Sequence, residues 1–251
     1  MRILVTAGNT QTPIDQVRCI TNIFTGQTGT QIALEGVRRG HSVVLLTSHP
    51  ELVGESGSTR LEKQPLVVQS YRTFDDLRGL MSQELGLGRA STYQAIIHSA
   101  AVSDYSVEGV FTLGNSNLDP PRLLPYQRPR LEAYLTRVQA GKVKSGYDQL
   151  WLKLVPTEKL VDRIRAPWNF KGILVKFKLE VGVSDEELLS IAETSRLHSD
   201  ADLMVANTFE GRRSHAYLGP LGGRYERVER PLLAARVLDE VEALAAQRGG
   251  G

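Results

Sequence analysis

Two stretches, RILVTA at Arg2–Ala7 and SVVLLT at Ser42–Thr47, decide the fold. Each is short, β-branched and apolar at successive positions, as in strands covered on both faces. Between them, Thr28–Arg39 puts Ile32, Ala33, Gly36 and Val37 on one helical stripe. Gly40 supplies the left-handed residue that ends this helix. Strand, helix and strand in that order make a βαβ unit with a right-handed crossover.

The alternation continues outward. Leu66–Tyr71, Ala95–Ser99, Ile173–Leu179 and Asp202–Ala206 read as further strands, and Thr73–Leu85 as a helix. Ser184 with Glu187 three residues on has the spacing of a capping box and starts another helix. The last helix opens at Pro231 and carries Leu233, Val237, Val241 and Leu244 on one stripe. Gly219, Gly222 and Gly223 mark a β-hairpin within Ser214–Arg230. The expectation is a single α/β domain over residues 1–251: a Rossmann-like, mostly parallel sheet with helices on both faces. Residues 106–147 break the alternation with Pro120, Pro121, Pro125 and Pro129, and read as a flap or dimerisation insertion.

Composition narrows the function classes. The chain has 251 residues, 41% of them hydrophobic, with a net charge of +2 and one cysteine. That supports a large packed core and leaves no electrostatic footprint for nucleic acid. Cys19 can form neither an internal disulfide nor a cysteine-rich zinc site, and reads as a small core residue. The apolar run after Met1 is too short for a signal peptide or membrane span, so a cytoplasmic location is expected. No histidine spacing suggests a metal site.

In open parallel sheets, ligands bind beyond the carboxyl ends of the strands. The loop after the first strand begins Gly8-Asn9-Thr10 and ends Asn22-Ile23-Phe24-Thr25-Gly26-Gln27-Thr28-Gly29. It lacks both the dinucleotide fingerprint and the P-loop lysine triplet. It can still bind an anion, because Gly26 and Gly29 precede a long helix and admit close backbone approach. Arg18 offers a bidentate fork for phosphate or carboxylate, or a structural pair with Asp15. Asn22 offers uncharged donors and an acceptor, or simply forms a turn.

The run ILVTAGNTQTPIDQVRCITNIFTGQTG at 3–29 resembles the opening motif of phosphopantothenoylcysteine synthetases (the DNA/pantothenate metabolism flavoprotein C-terminal-domain family). IIHSAAVSDY, GKVKSG, LKLVPTEKLV, ILVKFKLEVG and DADLMVANT follow in the family's order. The wording is closest to the stand-alone bacterial form, which lacks the decarboxylase domain. The resemblance implies a ligase of coenzyme A biosynthesis that joins 4′-phosphopantothenate to L-cysteine. It would use CTP or ATP with Mg²⁺, pass through an acyl-nucleotidylate, and need no flavin. A homodimer is implied, without nucleic acid or membrane.

Carried over by position, the resemblance makes Asn22 and Lys142 the catalytic residues. Gly8, Asn9, Thr10, Arg18, Thr25, Gly26 and Gly29 surround the substrate and nucleotide phosphates. Ala100, Ala101 and Asp104 form a second substrate loop, with a purely structural Asp104 as the alternative. Lys159 lies in a segment that reads the base, and Phe177 matches an aromatic beside it, unless it is simply core. Lys142 belongs to a mobile flap, with Lys144 close enough to be confused with it.

The match has departures. The family's two triphosphate lysines are absent from Thr194–Ser199, where Arg196 and His198 are only partial substitutes. Lys176 replaces the glycine before Phe177, Gln27 stands where lysine is common, and Asn9 where glycine is, a mild change because Asn tolerates positive φ. These changes leave room for a diverged non-catalytic binder, and the fold alone for an NAD(P)- or flavin-dependent oxidoreductase.

Overall fold

The computed structural model describes residues 1–55, 66–86, 88–113, 135–139 and 141–249. The four prolines that suggested a flap lie outside the described residues. Along the chain, β1 (Arg2–Ala7) leads to a short hairpin, β2 (Gln11–Pro13) and β3 (Cys19–Thr21), then α1 (Gln27–Arg38) and β4 (Ser42–Thr47). Next come α2 (Glu51–Glu55), β5 (Leu66–Ser70), α3 (Phe74–Leu85), β6 (Ala95–His98), β7 (Tyr105–Leu113), β8 (Leu135–Arg137) and β9 (Trp151–Pro156). The remainder is α4 (Asp162–Arg165), β10 (Ile173–Glu180), α5 (Asp185–His198), β11 (Leu203–Thr208), β12 (His215–Leu221), β13 (Arg224–Glu229) and α6 (Leu233–Gly249).

These elements form two compact units, one of residues 1–10, 22–102 and 159–251, the other of 11–21 and 103–158. The first holds an eight-stranded sheet in the order β13-β12-β11-β10-β6-β1-β4-β5. All neighbours from β11 to β5 are parallel, and the hairpin β12–β13 adds two antiparallel strands. Strand parity explains the two faces. Ile3, Val5 and Ala7 point into one core with Ile32, Ala33 and Val37 of α1 and Val237 and Val241 of α6. Leu4 points the other way, into a core with Leu77 and Met81 of α3 and Ile164 of α4. Leu188 and Ala192 of α5 cover Met204 and Ala206.

The helix ends follow the sequence. Gly40 has φ 86° just past α1. Thr73 caps α3 in a reciprocal box with Asp76, and the Ser184 side chain accepts from the Glu187 N–H of α5. Pro231 lies in a 3₁₀ turn, Arg230–Leu232, that precedes α6, rather than in the α-helix itself. Gly222 and Gly223 turn the hairpin at φ 56° and 82°, while Gly219 lies within β12.

The second unit is a sheet in the order β8-β7-β9, all antiparallel, with the hairpin β2–β3. Thr12 Oγ1 donates to the Tyr105 carbonyl at 3.1 Å. Cys19 is exposed, not a core residue, because all three residues of the outer strand β3 face solvent. Among the described residues, no helix is long and apolar enough to cross a membrane.

Candidate active site at the switch point of the sheet

From β1 the chain moves outward through β4 to β5, then returns to β6 on the other side and continues to β10 and β11. The crevice between the carboxyl ends of β1 and β6 is therefore the switch point where such sheets bind ligands. Two loops line it, Gly8-Asn9-Thr10 and Ser99-Ala100-Ala101. The Ala101 N–H donates to Gly8 O at 2.8 Å, Asn9 bridges Ala101 in parallel, and the Thr10 N–H reaches Ala101 O at 3.3 Å. Below them, Ser99 Oγ donates to Thr6 O at 2.7 Å, and the Thr6 hydroxyl meets His98 Nδ1 at 2.9 Å.

Glycines bring the start of α1 against this platform. Gly8 and Gly26 have φ 93° and 86°, where a side chain is strained. A methyl on Gly26 would overlap the Gly8 backbone nitrogen, and one on Gly29 would lie 2.7 Å from Ala7 Cβ. The Gly26 N-cap has no side-chain cap, and the first turn of α1 holds no acidic residue. Its end thus presents backbone N–H groups and the positive pole of the dipole.

Asn22 is tied into the same loops. Its Nδ2 donates to Ala101 O at 3.0 Å, and its carbonyl accepts from Asn9 Nδ2. Asn9 is buried and is held by Ser48, whose Oγ donates to Asn9 Oδ1 at 3.0 Å and accepts the Asn9 N–H at 2.9 Å. The Asn9 side chain, not a positive φ, is what this position uses. In the same unit, Thr25 and Lys159 are exposed, while Ala100 is partly buried. Phe177 is half-buried against the core under α1 and α6.

Lys176 points to the opposite sheet face. Its Nζ donates to Ser195 O at 2.9 Å and Ser199 Oγ at 2.7 Å, and Ser199 Oγ donates to Asp162 at 2.8 Å. Burial pushes the proton affinity of Lys176 down, Asp162 offsets this, and Lys178 and Lys159 add to it. Arg196 is held by Glu193 at 2.6 Å and donates to Ala201 O, while His198 is exposed 3.4 Å from Asp162. Lys176 of β10 thus places a second cation against the stretch Thr194–Ser199, beside Arg196.

Arg18, Asp104 and Lys142 belong to the second unit. Arg18 pairs with Asp15 at 2.5 Å and donates to Val143 O at 2.7 Å. The Asp15 carboxyl also accepts N–H groups of Val143, Val17 and Arg18. The Arg18 guanidinium, followed by those N–H groups, holds Asp15 far below the ordinary carboxylate range. Arg18 therefore fastens the hairpin to the segment that carries exposed Lys142. Asp104 is exposed, and its carbonyl accepts the Thr157 N–H at 2.9 Å.

The structure adds Thr6, Ser48 and Ser99 to the site. Each is a hydroxyl residue at or just past the carboxyl end of a parallel strand, a positional signal present in the sequence.

Known proteins share the sequence and the fold. The family model described as DNA/pantothenate metabolism flavoprotein C-terminal domain matches residues 1–112. The coenzyme A biosynthesis bifunctional protein CoaBC of Thermococcus kodakarensis is 32% identical over 250 residues, which is 97% of this chain and 51% of that protein. Its Escherichia coli counterpart is 26% identical over 208 residues, covering 82% and 41%. The chain spans about half the length of the first of these curated relatives and less of the second. The crystal structure of the DNA/pantothenate metabolism flavoprotein from Streptococcus pneumoniae matches with TM-score 0.74 and 28% identity, over 97% of this chain and 99% of that one. A Cab2 mutant in complex with phosphopantothenate-cysteine shares the fold at TM-score 0.69 and 19% identity, over 98% and 86%. With its opening motif at the switch point of a sheet of this kind, the chain is similar over residues 1–112 to the family of DNA/pantothenate metabolism flavoprotein C-terminal domains, and along nearly its whole length to the Thermococcus kodakarensis and Streptococcus pneumoniae proteins.

Proposed function

We propose that this chain is a phosphopantothenate–cysteine ligase, joining 4′-phosphopantothenate to L-cysteine with CTP or ATP. One observation carries the reading: Gly8 and Gly26 press two backbones together where Asn22 is fixed by Ala101 O. Such a cradle suits a crowded, anionic pair of substrates. The substrate carboxylate attacks the α-phosphorus and expels pyrophosphate. The cysteine amine then attacks the acyl carbon, expels the nucleoside monophosphate and loses a proton.

No protein nucleophile is needed, so the residues act by alignment and by fixed dipoles. Asn22 orients the reacting acyl phosphate, and the first turn of α1 faces phosphate. Ala100 and Ala101 allow close approach of a nucleotide, with Phe177 and Lys159 towards its base. Lys142 covers the intermediate from the loop that Arg18 and Asp15 fasten, and Asp104 completes the second substrate loop. The nucleotide enters as its Mg²⁺ complex, the ion held chiefly by phosphate oxygens. A homodimer through part of 106–147 is included in this reading. The condensed compound named with the Cab2 structure, phosphopantothenate-cysteine, is the product this reading predicts.

The test is pyrophosphate release by the folded chain with Mg²⁺, phosphopantothenate, cysteine and either CTP or ATP. Release that requires phosphopantothenate, with repeated turnover that also requires cysteine, is expected. No release with either nucleotide overturns the ligase reading, and retained nucleotide binding without release identifies a non-catalytic binder.

A further inference from the structure

Arg230 follows β13 at the end of the sheet where α1 begins. Its backbone N–H is fixed by Ser214 O at 2.7 Å, and its Nη2 donates to Thr28 Oγ1 in the first turn of α1. The guanidinium is half-buried, and among the described residues no carboxylate pairs with it. Three other partly buried arginines differ. Arg39 faces Glu35 at 2.7 Å, Arg165 faces Asp202 at 2.8 Å, and Arg196 faces Glu193 at 2.6 Å.

A partly desolvated cation without an anion is costly unless one arrives with a ligand. For Arg230, burial is the one influence on proton affinity, and it pushes downward. The same spot offers a helix start with no side-chain cap and no acid in its first turn. Thr28 engages one edge of the guanidinium, and a planar fork with five N–H donors keeps further donors for a phosphate. Arg196 and Arg18, by contrast, are committed to Glu193 and Asp15.

We propose that Arg230, steered by Thr28, grips a phosphate group of a substrate at the amino end of α1. The name of that substrate rests on the ligase reading; the recognition of phosphate does not. Two sources share the chemistry, the nucleotide's polyphosphate and the monophosphate of phosphopantothenate.

The experiment compares wild type with Arg230→Gln, which removes the charge, and Arg230→Lys, which keeps charge but loses the fork. KM is measured for each substrate, and inorganic pyrophosphate binding is followed by calorimetry, after circular dichroism confirms folding. In Arg230→Gln, one substrate's KM and the pyrophosphate Kd are expected to rise at least tenfold, with Arg230→Lys between that variant and wild type. A rise confined to the nucleotide assigns its polyphosphate; a rise confined to phosphopantothenate assigns its monophosphate. Unchanged KM values and pyrophosphate affinity in folded Arg230→Gln overturn the proposal. If that variant does not fold, wild-type affinity in Arg230→Lys overturns it equally. Should wild type turn over neither nucleotide, the ligase reading falls, and the pyrophosphate titration still decides Arg230. Pyrophosphate that wild type does not bind, or that Arg230→Gln binds as well, counts against it.

Discussion

Gly26 packs directly on Gly8: a Cβ on Gly26 would lie 2.5 Å from Gly8 Cα, closer than such atoms ever come. Both residues have positive φ, so neither the space nor the backbone admits a side chain. Gly26→Ala is expected to destabilise the fold by roughly 2–4 kcal/mol, summing left-handed strain and overpacking. Urea unfolding measures this, and a loss below about 0.5 kcal/mol would show that the loop relaxes without cost.

Gly79 is the contrasting case. It lies exposed within α3, with no positive φ and nothing within 4 Å of an added Cβ. Gly79→Ala should therefore stabilise the chain by about 0.5–1 kcal/mol, through helix propensity and a less flexible unfolded state. A raised urea midpoint with an unchanged slope is the expected result. A lowered midpoint contradicts the open environment.

The βαβ unit was legible because its signals agree: successive buried residues in β1 and β4, a 3.6-residue stripe in α1, and Gly40 to end it. β7 and β9 carry no clear strand signature in the sequence. A register shift between Val107 and Gly109 interrupts the alternation of β7, and its partner β9 lies some forty residues away. In β9, Trp151, Leu152 and Leu154 are all exposed, so apolarity there does not mark a buried face. At the site, Gly8, Gly26 and Asn22 could be read because glycine and asparagine have distinctive backbone and donor chemistry. Ser48 offered only its position just past β4, and Arg230 offered nothing, since one of many arginines gains meaning only from what it touches. Lys176 looked like a change beside Phe177, but strand parity sends the two side chains to opposite faces.

Asn22→Asp tests the role of the amide. The variant loses the Nδ2 donor to Ala101 O and places a negative charge where the proposed chemistry gathers anions. Substrate binding is expected to persist while kcat falls roughly 10²–10³-fold, the scale for losing one preorganised donor. Stopped-flow pyrophosphate release separates the steps. Normal kcat in a folded Asn22→Asp would remove this residue from the chemistry.

His98 sets an acid limit on stability. It is buried at the end of β6, hydrogen-bonded to Thr6, with Lys176 opposite it on β10. Burial first, then the Lys176 charge, pulls its pKa from 6.5 down to about 4, while Asp162 acts weakly the other way. Between those values the unfolded chain binds the proton that the folded chain refuses, so stability rises with pH there. The contribution is complete above about pH 6.5 and is lost progressively towards pH 4. Its full size is on the order of 3 kcal/mol from the shift. Urea unfolding at pH 7, 6, 5 and 4 should show wild type losing more stability than His98→Asn, although the variant starts lower. Parallel pH profiles for the two proteins would mean that His98 titrates alike in the folded and unfolded chains, contrary to its burial.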